Sequence, residues 1–184
     1  VLGFGFSPIS VVCTVSGPLY LHYNTNASCG TDGSCHTGVV QCTSCAGAPD
    51  PCSSITTLVC ANSVTAALTG PGLWSPGSCG FSTPGTEKIY SFTAAATGVH
   101  TLQVTSTSST GFIDYFYKAA SGGCNATGWT CIDDIFSPAT ATIGTLTAGT
   151  TYYILLDPET TSAVSHTFMI NCPAAFDPCT TIPI

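Results

Sequence analysis

Twelve cysteines, nine carboxylates and four histidines are the side chains of this 184-residue sequence that could do chemistry, against only two cations, Lys88 and Lys118. The cysteines are Cys13, Cys29, Cys35, Cys42, Cys45, Cys52, Cys60, Cys79, Cys124, Cys131, Cys172 and Cys179. Within residues 24–49, Cys29-x5-Cys35 and Cys42-x2-Cys45 with His36 between them invite a zinc reading. That spacing is half right, because structural zinc sites pair two short Cys-x2–4-Cys units or join one to a histidine pair. Disulfides account for the pattern better: this stretch has almost no large apolar residues and needs covalent ties to stay ordered. So many cysteines also point to an oxidising compartment. Cys124 and Cys131 bracket a short loop holding Trp129 and form the first expected bridge, with Cys52–Cys172 the next.

The carboxylates are dispersed. Asp133-Asp134 is read as a loop after Cys131, and Asp114 and Asp157 approach it if the chain folds as a sandwich. Calcium takes several oxygens, carboxylates included, so Asp114, Asp133, Asp134 and Asp157 make a candidate calcium set. The simpler account is that Asp133 and Asp134 cap turns through side-chain to backbone hydrogen bonds, and no cofactor is then needed. His22, His36, His100 and His166 come with no Gly-x-Ser-x-Gly elbow or other nucleophile signature. His100 and His166 fall in expected strands and read as packing residues, His36 as a surface residue. The sequence is read as non-enzymatic. Asn26-Ala27-Ser28 and Asn125-Ala126-Thr127 fit the glycosylation pattern at Asn26 and Asn125.

Composition excludes more than it assigns. Charged residues are 6% of the chain, against about 25% in ordinary soluble domains. Two lysines cannot make the basic footprint that nucleic acid requires. No apolar run approaches the roughly 18 residues of a membrane span. At 44% hydrophobic the sequence is too apolar for a disordered chain. It reads as a mature secreted product, freed of a signal peptide. A surface of Ser, Thr and Gly repels its own copies weakly, which suits self-association.

The elements that must position these residues are strands. Residues 87–104 alternate apolar and polar on both sides of Ala-Ala-Ala-Thr-Gly, which reads as a hairpin. Residues 152–156, Tyr-Tyr-Ile-Leu-Leu, are apolar on both faces, as in a central strand. Residues 57–60, 64–68, 111–118, 139–146 and 164–171 bring the total to about eight strands, with no sustained helical period. The expected fold is all-β, an antiparallel β-sandwich of jelly-roll or immunoglobulin-like kind with a disulfide-rich N-terminal extension. The boundaries are 1–49 for N-terminal strands and the Cys-rich segment, 50–173 for the sandwich, and 174–184 for a tail. Residues 1–15 are charge-free and place Leu2, Phe4 and Phe6 on one side of a strand, followed by Ile9 and Val11; another short strand carries Leu19, Leu21 and Tyr23. In the tail, Asp177-Pro178-Cys179-Thr180-Thr181-Ile182 repeats Asp50-Pro51-Cys52-Ser53-Ser54-Ile55.

Residues 50–173 resemble the bacterial pre-peptidase C-terminal family of β-sandwich domains. The resemblance rests on Asp-Pro-Cys-x-x-Ile at 50–55, Glu-Lys-Ile-Tyr-Ser-Phe-Thr-Ala at 87–94, Phe112-Ile113-Asp114, Cys131-Ile132-Asp133-Asp134, the stretch 146–154 and the closing Cys172. It implies a non-catalytic accessory of a secreted protein, an adhesive or interaction module, and some related domains hold calcium. Residues 1–49 match nothing in it.

Two functions follow as expectations. In one, the chain is the structural subunit of an extracellular filament, a homopolymer held by strand exchange through Leu2, Phe4, Phe6, Ile9 and Val11 at one end or Ile182 and Ile184 at the other. In the other it is a monomeric adhesion or carbohydrate-binding module that meets surface glycans through Trp74, Trp129, Tyr115 and Tyr117.

Overall fold

A computed structural model describes residues 48–108 and 110–174. The expectations for residues 1–47 and for the tail from 175 on, including Cys13, Cys29, Cys35, Cys42, Cys45, Cys179, Asn26 and the apolar contact residues at both ends, lie outside the described residues.

Among the described residues, nine strands form two sheets: β1 (Thr56–Leu58), β2 (Val64–Leu68), β3 (Lys88–Thr93), β4 (Gly98–Thr107), β5 (Ile113–Ala119), β6 (Thr130–Ile135), β7 (Ala139–Leu146), β8 (Thr151–Pro158) and β9 (Val164–Asn171). One sheet has the order β1-β3-β8-β5-β6 and the other β2-β9-β4-β7. All pairings are antiparallel except β1 with β3. The fold is thus an all-β sandwich, and helix among the described residues is confined to two 3₁₀ turns, Pro51–Ser53 and Ala120–Gly122.

Strict alternation builds the interior. Along β9, Val164, His166, Phe168 and Ile170 are buried while their neighbours are half-exposed. They meet Tyr90, Phe92, Tyr115, Ile154 and Leu156 from the facing sheet. Phe168 packs edge-on against Tyr90 and Tyr115, with ring centroids 5.4 and 5.7 Å apart. His100 and His166 are fully buried, as their strand positions predict. His166 Nδ1 shares a 3.0 Å hydrogen bond with the Tyr115 hydroxyl, and the His100 ring donates to Gly98 O at 2.9 Å.

Residues 87–104 do not form a hairpin. β3 belongs to the five-stranded sheet and β4 to the four-stranded one, so the Ala-Ala-Ala-Thr-Gly break crosses between sheets. Period-2 alternation marks a strand with one buried face, whichever sheet its successor joins. Asp133 and Asp134 are also not in a turn: they lie in β6, a strand interrupted by an irregularity opposite Tyr115 and Phe116.

A second apolar cluster covers the outer face of the five-stranded sheet. Ile89, Phe116, Trp129 and Leu155 are buried there, with Cys52, Ile55, Trp74, Cys79, Cys124, Cys131 and Tyr153 packed around them. β8 therefore has two buried faces, Ile154 and Leu156 inward and Leu155 outward, as its unbroken apolar run predicts.

The disulfides differ from those expected. Among the described residues they are Cys52–Cys124, Cys60–Cys172 and Cys79–Cys131; neither Cys124–Cys131 nor Cys52–Cys172 forms. The physical reason is that two of the bridges fasten covering segments to the outer face, which a bridge within the 124–131 loop would leave unanchored. That loop is organised instead by Lys118. Its ammonium donates to Asn125 O, Asn125 Oδ1 and Thr127 O at 3.0–3.1 Å and lies 4.5 Å from the Trp129 ring centroid. The Asn125 amide nitrogen donates to Gly122 O at 3.0 Å, so this exposed sequon residue also shapes the loop. Cys60–Cys172 spans 112 residues of sequence, a loop length for which chain-entropy arguments give roughly 4–5 kcal/mol.

Non-reducing peptide mapping is expected to recover the three bridges 52–124, 60–172 and 79–131 and no 124–131 peptide. Leu155→Ala, on the outer face, is expected to cost about 2–5 kcal/mol in urea denaturation, as much as Leu156→Ala on the inner face. A loss under about 1 kcal/mol would mean that the outer cluster is not a core.

Candidate functional site

Three aspartates stand side by side across three strands. Asp114 of β5 is paired with Asp134 of β6 on one side and with Asp157 of β8 on the other. Directly opposed residues project from the same face of a sheet, here the outer one, because their neighbours Ile113, Tyr115, Ile135 and Leu156 fill the inner core. Glu87 stands immediately before β3, one position beyond the Lys88–Leu156 pair, and extends the row. Glu159 follows Asp157 by two residues, with its backbone N–H on Phe112 O at 3.2 Å.

The excursion between β2 and β3, residues 69–87, roofs part of this row. Gly70 N–H donates to Thr161 O, Gly72 N–H to Pro84 O and Gly85 N–H to Pro158 O. A Cβ on Gly85 would stand 2.8 Å from Pro158 O, so only glycine permits the approach. Two carboxylates hold the roof down: Glu87 Oε1 accepts from Leu73 N–H at 2.6 Å and from Trp74 N–H, and Asp157 Oδ2 accepts from Thr83 Oγ1 at 2.8 Å.

The other three carboxylates have no such support. Asp114 is 0% exposed, with no backbone, hydroxyl or cationic donor on either oxygen; its hydrogen-bond contact is with the Asp134 carboxyl, which requires a proton on one of the two. One oxygen each of Asp134 and Glu159 is likewise buried without such a donor, and so is the second oxygen of Glu87 and of Asp157. Asp114, Asp134 and Glu159 each offer an oxygen, all within 4.8 Å of one another. No lysine compensates them. Lys88 Nζ donates to Ser54 O and Ser54 Oγ, Lys118 is enclosed by its own loop, and the sequence has no other Lys or Arg.

Of the expected calcium set, Asp114 and Asp134 come together. Asp157 is beside them, with Oδ2 accepting from Thr83 and Oδ1 buried without a donor, and Asp133 is exposed, accepting the N–H of Asp134 on Oδ1 at 3.0 Å. Adjacent residues of a strand face opposite ways, so Asp133 and Asp134 could not both join. Glu159 was missed; its signal is the i, i+2 spacing from Asp157. Of the expected aromatic contact face, Tyr115 and Trp129 are buried. Phe112 and Phe136 are exposed instead, with centroids 4.9 Å apart, one position beyond the Ile113–Ile135 pair and on the side of the acid row.

Burial first, and neighbouring carboxylates after it, push Asp114 up to about 8. Burial also lifts Asp157 to about 8, against the opposing hydrogen bond from Thr83. Burial raises Asp134 and Glu159 as well. Both aspartates have an ordinary value of 3.8, so between about pH 4 and 8 the metal-free folded state holds protons that the unfolded state has released. Stability must fall as pH rises through that window. Burial holds His166 down to about 4, which acts in the opposite sense below about pH 6.5. The clean interval is therefore pH 6.5–8. In chelator-treated protein the melting temperature is expected to drop across it, and the slope to flatten in Asp157→Asn.

No family model matches the chain, and no curated protein matches it. Among solved structures it is similar to the pre-peptidase C-terminal domain of collagenase from Bacillus anthracis, at 11% identity and a TM-score of 0.45, covering 64% of this chain and 95% of that one. At that identity the likeness concerns the fold alone.

Proposed function

We propose that this chain is the structural subunit of an extracellular filament, in which a segment of one copy adds to a sheet of the next and disulfides fix each subunit. The observation that carries this reading is that the sequence holds two closely similar hexapeptides, 50–55 and 177–182, and among the described residues the first of them has a seat on the sandwich. Residues 50–58 fill that seat. Asp50 accepts from Cys52 N–H at 3.0 Å, Cys52 is bridged to Cys124, Ile55 packs in the outer cluster and β1 pairs along β3. The second copy, Asp177 to Ile182, serves a neighbouring subunit in this reading, and the charge-free residues 1–15 offer a second strand for exchange.

Cysteine arithmetic supports the same reading. Six cysteines pair inside the sandwich, leaving Cys179 in the tail and an odd five, Cys13, Cys29, Cys35, Cys42 and Cys45, near the other end. In this reading a bridge between the tail of one copy and the N-terminal segment of the next would lock successive chains together. The strands that end the four-stranded sheet, β2 and β7, carry no charged residue. Charge is a common guard against edge pairing, and β6 keeps that guard in Asp133 and Asp134. A head-to-tail contact of this kind propagates without closing. The disulfides support an extracellular location, and no helix among the described residues is long and apolar enough to cross a membrane.

The exposed Phe112–Phe136 pair favours a second reading, a monomeric adhesion or carbohydrate-binding module. The two readings separate in one experiment. Negative-stain microscopy and sizing of the intact chain are expected to show polymers that vanish on removal of residues 1–15 or 174–184. A chain that stays monomeric at every concentration, yet binds saccharide and loses that binding in Phe112→Ala, would replace the filament with the module.

A further inference from the structure

We propose that Asn125 is an N-glycosylation site, taking a saccharide on Nδ2 from a lipid-linked glycosyl diphosphate. The pattern Asn-x-Ser/Thr alone is a weak signal, and three observations in the fold single out Asn125-Ala126-Thr127. The first is exposure. All three residues are open to solvent, on the loop that follows the 3₁₀ turn Ala120–Gly122. A glycan is bulky and polar, so its asparagine has to stand at the surface. The second is space. A Cβ at Gly122 or at Gly128 would meet nothing within 4 Å. Beside Asn125 lies an open hollow of about 360 Å³ bordered by Lys118, Ser121, Gly122, Thr127 and Gly128. Small-molecule pockets begin at about 300 Å³, so a first sugar has room next to its attachment point.

The third observation is chemical. An amide nitrogen is a weak nucleophile, because resonance draws its lone pair into the C–N bond. Donors on the amide oxygen favour negative charge there and make the N–H easier to lose. Asn125 Oδ1 accepts from Thr127 N–H at 3.0 Å, Thr127 Oγ1 at 3.1 Å and the Lys118 ammonium at 3.1 Å. The last bond is charge-assisted, from a buried lysine. An Asn amide nitrogen carries two hydrogens. One is donated to Gly122 O at 3.0 Å, and the other meets no acceptor among the described residues. Transfer forms the C1–Nδ2 bond and breaks the C1–O bond to the diphosphate. The diphosphate leaves with the electron pair, and the Nδ2 proton passes to a base of the transferase. The substituted nitrogen keeps its bond to Gly122 O and Oδ1 keeps its three donors, so the loop around Lys118 survives the modification. On a chain with 6% charged residues, the glycan adds hydration that the side chains supply sparingly. It does so over the loop that encloses Trp129, whose Nε1 donates to Asn125 O at 2.9 Å. The site is independent of the filament reading.

The test is mass spectrometry of the chain as its own cells secrete it. Trypsin cuts the reduced, unfolded sequence only after Lys88 and Lys118, giving peptides 1–88, 89–118 and 119–184, with Asn26 and Asn125 on different ones. Peptide 119–184 is expected to carry a saccharide mass that fragmentation locates on Asn125. Thr127→Val removes the hydroxyl and keeps the carbonyl that holds Lys118. It is expected to lose that mass while the 52–124 bridge and the circular dichroism stay native, and Thr127→Ser is expected to retain it. Three results overturn the proposal. One is peptide 119–184 at its bare mass, which is read on the wild-type chain and depends on no variant. Another is a saccharide found only on serine or threonine hydroxyls. The third is a glycan that persists on Asn125 in Thr127→Val.

Discussion

The outer face of the five-stranded sheet must be kept from water, and most of what distinguishes this structure depends on that. A sandwich ordinarily buries one face of each sheet and leaves the other to solvent. Here β8 and β5 send Leu155 and Phe116 outward, fully buried. Burying such side chains is worth about 1.5–3 kcal/mol each, but the cover over them has to be held in place. Three segments provide it: the 3₁₀ turn at 51–53, the excursion 69–87 and the loop 119–129. Each contributes a cysteine or an aromatic ring to the outer cluster, and the two outer-face bridges secure them. Covering segments with few packing residues depend on such links, because their own burial cannot offset the entropy of ordering them.

The same cover accounts for the electrostatics. Once the excursion closes over the end of the face, the carboxylates of β5 and β8 lose their water, and like charges directly opposite one another destabilise a sheet. Two of the acids recover by accepting hydrogen bonds from the excursion, so that they become its fasteners. The remaining three would need protons or a cation, in a chain whose positive charge is confined to two lysines. Lys118 shows how far this chain goes to settle one cation: a loop folds three oxygens and an indole ring around its ammonium. The acid row is the complement of that arrangement, a set of oxygens with no side-chain cation supplied.

The polymer reading and the acid row draw on different parts of the molecule. Strand addition concerns the sheet edges and the repeated hexapeptide, whereas the acid row concerns the outer face at β5, β6 and β8. They meet at β6, the edge strand whose aspartates discourage pairing, one of them as part of the acid row. A filament that loads its edges gains from having that strand tied down.

Much of the architecture was legible in the sequence, since alternation and unbroken apolar runs report directly on how many faces a strand buries. β9 could be read from Val164-x-His166-x-Phe168-x-Ile170, and the doubly buried β8 from Tyr152 to Leu156. Nothing local told whether the strand after Ala94-Ala95-Ala96 stays in its sheet or crosses to the other, because both choices present the same alternating face. Cysteine pairing was equally hidden: it depends on which covering segments meet over the outer face, and sequence separation carries no such information. The acidic site divides the same way. Asp114 and Asp134 were visible as residue types, but register alone put them on one rung, turned Asp133 away and brought in Glu159. By itself the sequence determined strand content, an oxidised and nearly cation-free composition, and the repeated hexapeptide, all of which are properties of residue type and spacing. Only the tertiary structure decided which carboxylates share a face and lose their water, because strand register and the cover above it are long-range properties of the folded chain.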